Sequence, residues 1–335
     1  MQPIYVLTDT DRDELFAALQ TVTENPYADY TAFSKAVAVL REGPLVPSTF
    51  VDACHIIRRE RENGVSDAHA LRNCPLDADV PVLDNEDPLA DKYTKKKTFI
   101  GETLMELFAQ LTGTPLLAYA SRFNGDFFTD VVAINRYSGK QTGFSDGELV
   151  YHNDRTAHRV RADFITLLGM RCPSEELVYT GFVEGRALLA NLSAEDQQSL
   201  RTPWFVTPFD VFSKHNNSSL TVSETHPILE NDHSFRYLDS HTTVAPDSPV
   251  EAKDALIALK NALARAEKKR HRILVGDLFS FANQDGLHNR EKIDVQDAQR
   301  ARSRWLLKTY AFRDESKAGQ FEGTWVNGVR GLVAD

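Results

Sequence analysis

Apolar residues in the first third of the chain recur at intervals of three and four, the spacing of an amphipathic helix. This pattern predicts helices over residues 10–19, 30–40, 47–61 and 99–111. Between the last two, residues 73–97 carry three prolines among acidic residues, which predicts a long acidic loop. We therefore expect residues 1–113 to be mainly helical and to pack on whatever core follows.

From residue 115 onward the pattern changes to short runs of β-branched and aromatic residues separated by turn signals. The runs predict strands at 115–119, 131–135, 164–170, 177–182, 205–212, 235–238, 274–282 and 305–312. Many short strands are typical of a sandwich or barrel. One helical stripe, over 250–270, interrupts them. No segment has the composition of a linker, so residues 1–335 are expected to form a single domain with its core at 115–314.

Charge and cysteine usage narrow the partners and the compartment. The 335 residues carry a formal charge of −10, which disfavours nucleic-acid and anionic-membrane partners. There is no apolar run of about 18 residues and no export signal in the first ten, so we expect a cytoplasmic protein. Cys54, Cys74 and Cys172 show no Cys-x-x-Cys spacing, which predicts free thiols. The basic cluster at 268–272 is interpreted as the favourable end of a helix.

Candidate chemistry begins at His152-Asn153-Asp154. A histidine and a carboxylate two residues apart point to the same face of a strand and can bind one metal ion. The motif alone is weak, because ten histidines and 48 acidic residues among 335 produce between one and two such pairs by chance.

A second segment, 275–290, strengthens the case. An apolar strand follows the Gly276-Asp277 turn and leads to His288 beside another glycine. Two imidazoles and one carboxylate form the facial triad of non-haem Fe(II) enzymes. The same donors also suit a hydrolytic zinc site, so at this point both metals remain open.

A third segment supplies cations fourteen to twenty residues after His288, namely Arg302, Arg304 and Lys308. A zinc hydrolase has no evident need for them. An oxygenase that uses 2-oxoglutarate does, because the far carboxylate of that cosubstrate favours a bidentate guanidinium.

Together these segments resemble the clavaminate synthase-like and taurine dioxygenase group of Fe(II)/2-oxoglutarate oxygenases. The group shows a His-x-Asp/Glu motif, a Gly-Asp-Leu strand, an Asn, a His-x-Arg and an Arg-Trp-Leu strand, in that order. The chain matches them with His152–Asp154, Gly276–Leu278, Asn283, His288–Arg290 and Arg304–Leu306. The resemblance implies a mainly β fold with flanking helices, a distorted double-stranded β-helix or jelly roll.

The resemblance also implies roles for single residues. His152, Asp154 and His288 would bind iron. Arg304, or alternatively Arg302, would bind the far carboxylate of 2-oxoglutarate. Thr180, at the spacing where relatives carry a threonine, would share that role.

The implied reaction consumes O₂ and 2-oxoglutarate, releases succinate and CO₂, and hydroxylates an unactivated C–H bond. Related halogenases carry Gly or Ala in place of the iron-binding acid, so Asp154 favours hydroxylation, desaturation or ring closure. The expected substrate is a small polar metabolite, a free L-amino acid or a derivative. A carrier-bound, sulfonate or nucleoside-type substrate is the alternative. From other classes, a metal-free jelly-roll binding module and a zinc hydrolase remain.

Three further residues are candidate substrate contacts: Gln141, Asp239 and Lys308. Lys308 stands where amino-acid hydroxylases of the group often carry an arginine, so it keeps the charge and loses the fork geometry. His241 stands where enzymes for basic amino acids carry a second carboxylate after Asp239. That replacement disfavours a guanidinium substrate.

Overall fold

The computed structural model describes residues 1–216 and 221–334. The helices in these residues are α1 Asp9–Leu19, α2 Tyr30–Glu42, α3 Ser48–Glu62, α4 Pro88–Lys95, α5 Ile100–Thr112, α6 Gly185–Leu189, α7 Ala194–Leu200, α8 Val211–Asn216, α9 Val250–Arg265, α10 Ala298–Arg302 and α11 Glu315–Gly319. The strands are β1 Tyr5–Val6, β2 Ala68–Arg72, β3 Leu116–Tyr119, β4 Thr129–Val132, β5 Leu149–His152, β6 Phe164–Arg171, β7 Leu177–Glu184, β8 Phe205–Val206, β9 Thr243–Val244, β10 Lys269–His271, β11 Leu278–Ala282, β12 Gly286–Asp294, β13 Trp305–Ala311 and β14 Leu332–Val333.

Two sheets form the core. The larger has the order β1-β2-β11-β6-β13-β3-β14, with β4 also paired to β13, and the smaller has the order β10-β7-β12-β5. All pairs in the smaller sheet are antiparallel. Phe182 on β7 contacts Phe281 on β11, with ring centroids 5.8 Å apart, and so joins the two sheets. This arrangement confirms the predicted jelly roll.

Helices cover the outer faces of both sheets. Helices α1, α2, α3 and α5 share one apolar core with the larger sheet, and α5 is buried along almost its whole length. Helix α9 packs against α7 and the smaller sheet, where Leu259 joins Val183 and Leu287 in a second core. The inner faces of the two sheets remain for the site.

The segment expected to be an acidic loop, 73–97, contains helix α4. Its start follows ordinary capping rules, because Asp87 accepts a hydrogen bond from the Ala90 amide at 3.1 Å and Pro88 occupies the first turn. Buried Asp77 then accepts from Lys96 at 2.7 Å and from the Ile100 amide at 3.2 Å. These contacts tie the segment to the first turn of α5.

Other element boundaries differ from the sequence prediction. The helix expected over 250–270 ends at Arg265, and Lys269–His271 forms β10 on the edge of the smaller sheet. Within 205–212 only Phe205–Val206 is a strand, and α8 follows. Residues 235–238 make isolated bridges alone. The unpredicted strand β2 lies between β1 and β11, so the first third contributes directly to the larger sheet.

The three cysteines are free and buried, as expected from their spacing. Over the described ranges no helix combines the length and the apolar character needed to cross a membrane.

Candidate active site

His152, Asp154 and His288 lie together on the inner face of the smaller sheet. His152 on β5 and His288 on β12 are directly paired, with ring centroids 4.2 Å apart. Oδ1 of Asp154 lies 3.2 Å from Nε2 of His152 and 3.6 Å from Nε2 of His288. One ligand atom from each residue therefore falls within 4.8 Å of the other two. Two segments that are far apart in sequence thus offer one compact donor set.

The turn that carries Asp154 is held by two asparagines. Strand β5 ends at His152, so the same-face argument from strand alternation does not apply to Asp154. Instead the Asp154 amide donates to Oδ1 of Asn283 at 2.7 Å. Buried Asn153 donates to the Gly286 and Asn283 carbonyls and accepts from the Tyr237 amide at 2.8 Å. The asparagines connect the loop after β5 with the chain between β11 and β12.

Both histidines can offer Nε2 to a metal ion. Nδ1 of His152 lies 2.7 Å from the Val150 carbonyl, which can only accept, so Nδ1 carries a proton and Nε2 would offer its lone pair to a bound metal ion. Burial, together with the nearby His152, lowers the pKa of His288 to about 4. The His288 imidazole is thus a neutral donor at pH 7. Two imidazoles and one carboxylate fit Fe(II).

The second oxygen of Asp154 is bound by Lys308 and Tyr310 on β13. Lys308 Nζ donates to Oδ2 at 3.0 Å, and the Tyr310 hydroxyl donates to the same atom at 2.7 Å. Burial raises the pKa of Asp154, but the Lys308 ammonium and the hydrogen bonds from the two histidines hold it well below its usual value. The sequence proposed Lys308 as a substrate contact; the structure places its ammonium on the candidate iron ligand.

Arg304 and Thr180 line the same cavity as the triad. Within the described residues the Arg304 guanidinium makes no hydrogen bond or ion pair, although burial lowers its pKa. Such unsatisfied donors are rare in proteins and suit an anionic ligand. Arg302 is different, since it ends α10, pairs with Asp146 and Asn135, and lines a neighbouring cavity. The two arginines do not lie on one strand, because Arg302 belongs to α10 and β13 begins at Trp305.

Gln141 lines the cavity, but its amide binds the backbone on both sides. Its Nε2 donates to the Glu148 carbonyl at 3.1 Å and its Oε1 accepts from the Val150 amide at 3.1 Å. Arg290 supports the same loop by donating to the carbonyls of Gly147 at 2.8 Å and Ser145 at 2.7 Å. Gln141 therefore stabilises the loop that leads into β5.

Asp239 lies outside the residues that line this cavity. Its Oδ1 accepts from the Tyr237 hydroxyl at 2.6 Å and from Lys260 of α9 at 2.8 Å. The exposed His241 contacts the Ser240 hydroxyl. Asp239 and His241 are the positions compared with the carboxylate pair of enzymes for basic amino acids. Asp239 thus contacts helix α9, and His241 faces solvent.

Sequence reasoning missed four charged residues of the cavity wall, Arg122, Asp130, Arg155 and Asp210. Arg122 Nη1 lies 3.6 Å from Oδ2 of Asp210, and the Arg155 guanidinium stacks on Tyr119 with Cζ 4.1 Å from the ring centre. None belongs to a recognisable motif. The only local signal was that Arg155 directly follows the His-x-Asp motif.

These groups surround one cavity of roughly 1200 Å³, part of it open to solvent. Apolar side chains of the larger sheet, including Ile165, Leu167 and Leu306, form the opposite wall. A cavity of this size suits a small-molecule substrate beside a bound cosubstrate.

Comparison with known proteins assigns the family. Residues 102–310 match the model of the taurine catabolism dioxygenase TauD, TfdA family. The chain belongs to this family. It is a 2-oxoglutarate-dependent non-haem iron dioxygenase, with Fe(II), 2-oxoglutarate and O₂ as cofactor and cosubstrates, as the resemblance of its motifs implied. The zinc hydrolase and the metal-free binding module are thereby set aside.

Individual relatives are more distant. An L-asparagine oxygenase from Streptomyces coelicolor is 26% identical over 258 residues, which cover 76% of this chain and 73% of that protein. A crystal structure of asparagine oxygenase with Fe(II), 2S,3S-3-hydroxyasparagine and succinate has a TM-score of 0.80 at 20% identity and covers 99% of both chains. The non-haem iron oxygenase OrfP, with Fe, succinate and (3S)-hydroxy-L-Arg, has a TM-score of 0.77 at 18% identity and covers 99% of this chain and 100% of its own. These likenesses confirm the fold.

Proposed function

We propose that this dioxygenase hydroxylates an unactivated C–H bond of a free L-amino acid or a close derivative. In the proposed site His152, Asp154 and His288 hold Fe(II), while Arg304 and Thr180 bind the far carboxylate of 2-oxoglutarate. Bound Fe(II) supplies the oxidative chemistry that couples decarboxylation of 2-oxoglutarate to oxygen insertion. The protein orients the substrate and excludes water from the reaction.

One observation carries the proposal. The triad, the Arg304 guanidinium and charged groups of both signs line a single small-molecule cavity. An amino acid presents a carboxylate and an ammonium group, so it complements such a wall. The relatives support the same class, since their structures contain hydroxyasparagine in one case and hydroxyarginine in the other.

The environment expected for the enzyme agrees with this function. We place it in the cytoplasm, without nucleic-acid or membrane partners, on the strength of three reduced cysteines and a net charge of −10. We take the whole chain 1–335 as the catalytic unit, since β2 of the first third pairs with β11 of the core.

A substrate screen tests the proposal. Protein loaded with Fe(II) is given 2-oxoglutarate, O₂ and each free L-amino acid, with taurine and a nucleoside as members of the alternative classes. We expect one or more amino acids to stimulate succinate formation and to gain one oxygen atom by mass spectrometry. Asp154→Ala is the control and should abolish both signals. Stimulation by a sulfonate or nucleoside alone would contradict the proposal.

A further inference from the structure

A second cavity adjoins the main one at the residue proposed to bind the cosubstrate. It has a volume of roughly 500 Å³, part of it open to solvent. We call it the α10 cavity, because Ala298, Ala301 and Arg302 of helix α10 form one of its walls. Arg290 and Arg304 line both cavities, so the two cavities meet at these guanidinium groups.

The pairing of β12 with β7 explains where the α10 cavity lies. His288, Arg290 and Lys292 alternate along β12, so their side chains point to one face of the sheet. Their partners on β7 are, in the same order, Phe182, Thr180 and Val178. Thr180 lines the main cavity and Val178 lines the α10 cavity. The α10 cavity therefore begins about 7 Å beyond Thr180, the length of two residues in a strand.

Positive charge dominates the α10 cavity. Among the described residues that line it, the cations are Arg290, Lys292, Arg302 and Arg304, and Asp146 is the one acidic residue. Asp146 forms an ion pair with Arg302. Four positive charges against one negative charge leave an excess of three, and of two once a cosubstrate carboxylate binds Arg304.

The other contacts of these cations do not neutralise them. Arg290 donates to three backbone carbonyls of the loop 143–147 at 2.7–3.3 Å, and the Lys292 ammonium donates to the Asp146 carbonyl at 2.7 Å. Carbonyl groups satisfy hydrogen bonds but carry no net charge. Burial and the nearby Arg304 lower the pKa of Arg290 to about 9, so it stays protonated at pH 7.

Carboxylates of the neighbouring segments also leave this charge in place. Glu176 forms an ion pair with Arg300 at 2.7 Å. Glu86, Glu148 and Asp294 lie outside the cavity lining and are exposed, so solvent and salt screen their charge. A cleft lined mainly by one sign of charge concentrates ions of the opposite sign. The α10 cavity is therefore suited to an anion.

The cations retain hydrogen-bond donors for such a ligand. Within the described residues, the Lys292 ammonium uses one of its three donors, and the Arg302 guanidinium uses one on each Nη atom. Ammonium and guanidinium groups bind oxyanions through short charge-assisted hydrogen bonds. A doubly charged oxyanion matches the excess of two charges that remains when Arg304 holds the cosubstrate.

We propose that the α10 cavity binds a small doubly charged oxyanion, and that this anion weakens the binding of 2-oxoglutarate. The two anions share Arg304, and their like charges lie about 7 Å apart along the strands. Each therefore lowers the affinity of the protein for the other, by the same factor. The effect on 2-oxoglutarate rests on the proposed function, in which Arg304 binds the cosubstrate; the anion site itself does not.

The first test is calorimetric titration of the full chain without metal. Inorganic sulfate is the probe for a tetrahedral anion and succinate the probe for a dicarboxylate, with chloride added to keep the ionic strength constant. We expect at least one of them to bind in a manner that depends on Lys292. Lys292→Gln should raise the Kd of that site about 10-fold or more, the effect of one lost charge-assisted contact.

Controls separate the loss of this contact from a general change in the protein. Lys292→Arg keeps the charge and should retain most of the affinity. Lys253→Gln, at an exposed position of α9, should bind the anion as wild type does. In the absence of the anion, Lys292→Gln should bind 2-oxoglutarate within about threefold of wild type, which shows that the variant is folded.

The second test measures the coupling to the cosubstrate. The Kd for 2-oxoglutarate is measured anaerobically from the visible charge-transfer band with Fe(II), with and without the anion that binds through Lys292. Saturation with this anion should raise the Kd about 5- to 10-fold in wild type, within the usual range of coupling between sites. The increase should be smaller in Lys292→Gln.

The outcomes distinguish the two proposals. If neither anion loses affinity in Lys292→Gln, or if an anion that does so leaves the Kd for 2-oxoglutarate unchanged in wild type, this inference is wrong and the proposed function stands. A protein that binds an anion through Lys292 but gives no band with Fe(II) and 2-oxoglutarate would instead contradict the proposed function.

Discussion

Oδ2 of Asp154 accepts a hydrogen bond from Lys308 at 3.0 Å while Oδ1 of the same carboxylate faces the two histidines. The two oxygens thus have separate partners, one set on β5 and β12 and the other on β13. This division favours a metal ligand that binds through one oxygen. It connects the larger sheet to the candidate iron site through the Lys308–Asp154 ion pair.

Replacing Lys308 by Met should therefore weaken metal binding. The variant keeps the length of the side chain but leaves Asp154 without its ammonium partner, and supporting groups of this kind change metal affinity about 10- to 100-fold. Calorimetric titration with Co(II) or Mn(II) measures the effect directly. Lys253→Met, at an exposed position of α9, should bind metal as wild type does. Unchanged affinity in Lys308→Met would contradict the positioning role.

The two arginines before β13 should differ in their effect on 2-oxoglutarate. Arg304→Gln removes a guanidinium from the cavity wall and should raise the Kd for 2-oxoglutarate about 10- to 100-fold, as expected for lost charge-assisted hydrogen bonds. Arg302→Gln alters an ion pair with Asp146 in the neighbouring cavity and should change that Kd by less than about threefold. The reverse ranking would assign the cosubstrate to Arg302.

The sequence led to the candidate metal triad because its chemistry depends on residue types at recognisable positions. His152, Asp154 and His288 are found from motif order, and Arg304 and Thr180 from their spacing to those motifs. All five line one cavity. Tertiary contacts decided the rest. Lys308 forms an ion pair with Asp154. Asp239 forms an ion pair with Lys260 on α9, 21 positions away, and no sequence motif signals this contact.

The fold shows the same division. The long periodic helices and the apolar strands β6, β7 and β13 were predictable from local pattern. Helix α4 and strand β2 were missed because each is short. The prolines and acidic residues around α4 are typical of a loop, although Asp87-Pro88 is a helix start signal. Strand β2 is defined by its pairing with β11. Arg122 lines the cavity because of the fold, and no sequence motif marks it.

Asn153 should be important for stability as well as for the site. Its amide satisfies the Gly286 and Asn283 carbonyls and the Tyr237 amide in a buried place. Asn153→Ala leaves these groups unpaired, so we expect a loss of about 3 kcal/mol in the free energy of unfolding. Urea denaturation measures it, with Asn231→Ala at an exposed position as the control. A loss below about 0.5 kcal/mol would show that the hydrogen bonds of the Asn153 side chain are not needed for stability.

Buried His226 predicts a pH-dependent contribution to stability. Burial, reinforced by Arg236, lowers its pKa from 6.5 to about 4. Between these values the unfolded chain takes up a proton that the native protein does not, so this group makes wild type less stable as the pH falls. In His226→Gln that penalty is absent.

The free energy of unfolding of wild type should therefore fall relative to that of His226→Gln on acidification. Wild type should lose about 2 kcal/mol relative to the variant between pH 6.5 and pH 5, at about 1.4 kcal/mol per pH unit. Urea denaturation of both proteins at several pH values measures this. Between pH 7.5 and 8.5 the difference should be constant, which serves as the internal control. A wild type that gained stability relative to the variant toward pH 5 would contradict the assignment.

The central claim is that His152, Asp154 and His288 hold Fe(II) for reaction with 2-oxoglutarate. The most direct measurement is anaerobic titration of the protein with Fe(II) and 2-oxoglutarate, followed by visible absorption, beside the variant His152→Ala. The account predicts a weak charge-transfer band that saturates at one equivalent of iron in wild type and is lost in the variant. A wild-type protein without the band, or a His152→Ala protein that retains it, would contradict the account.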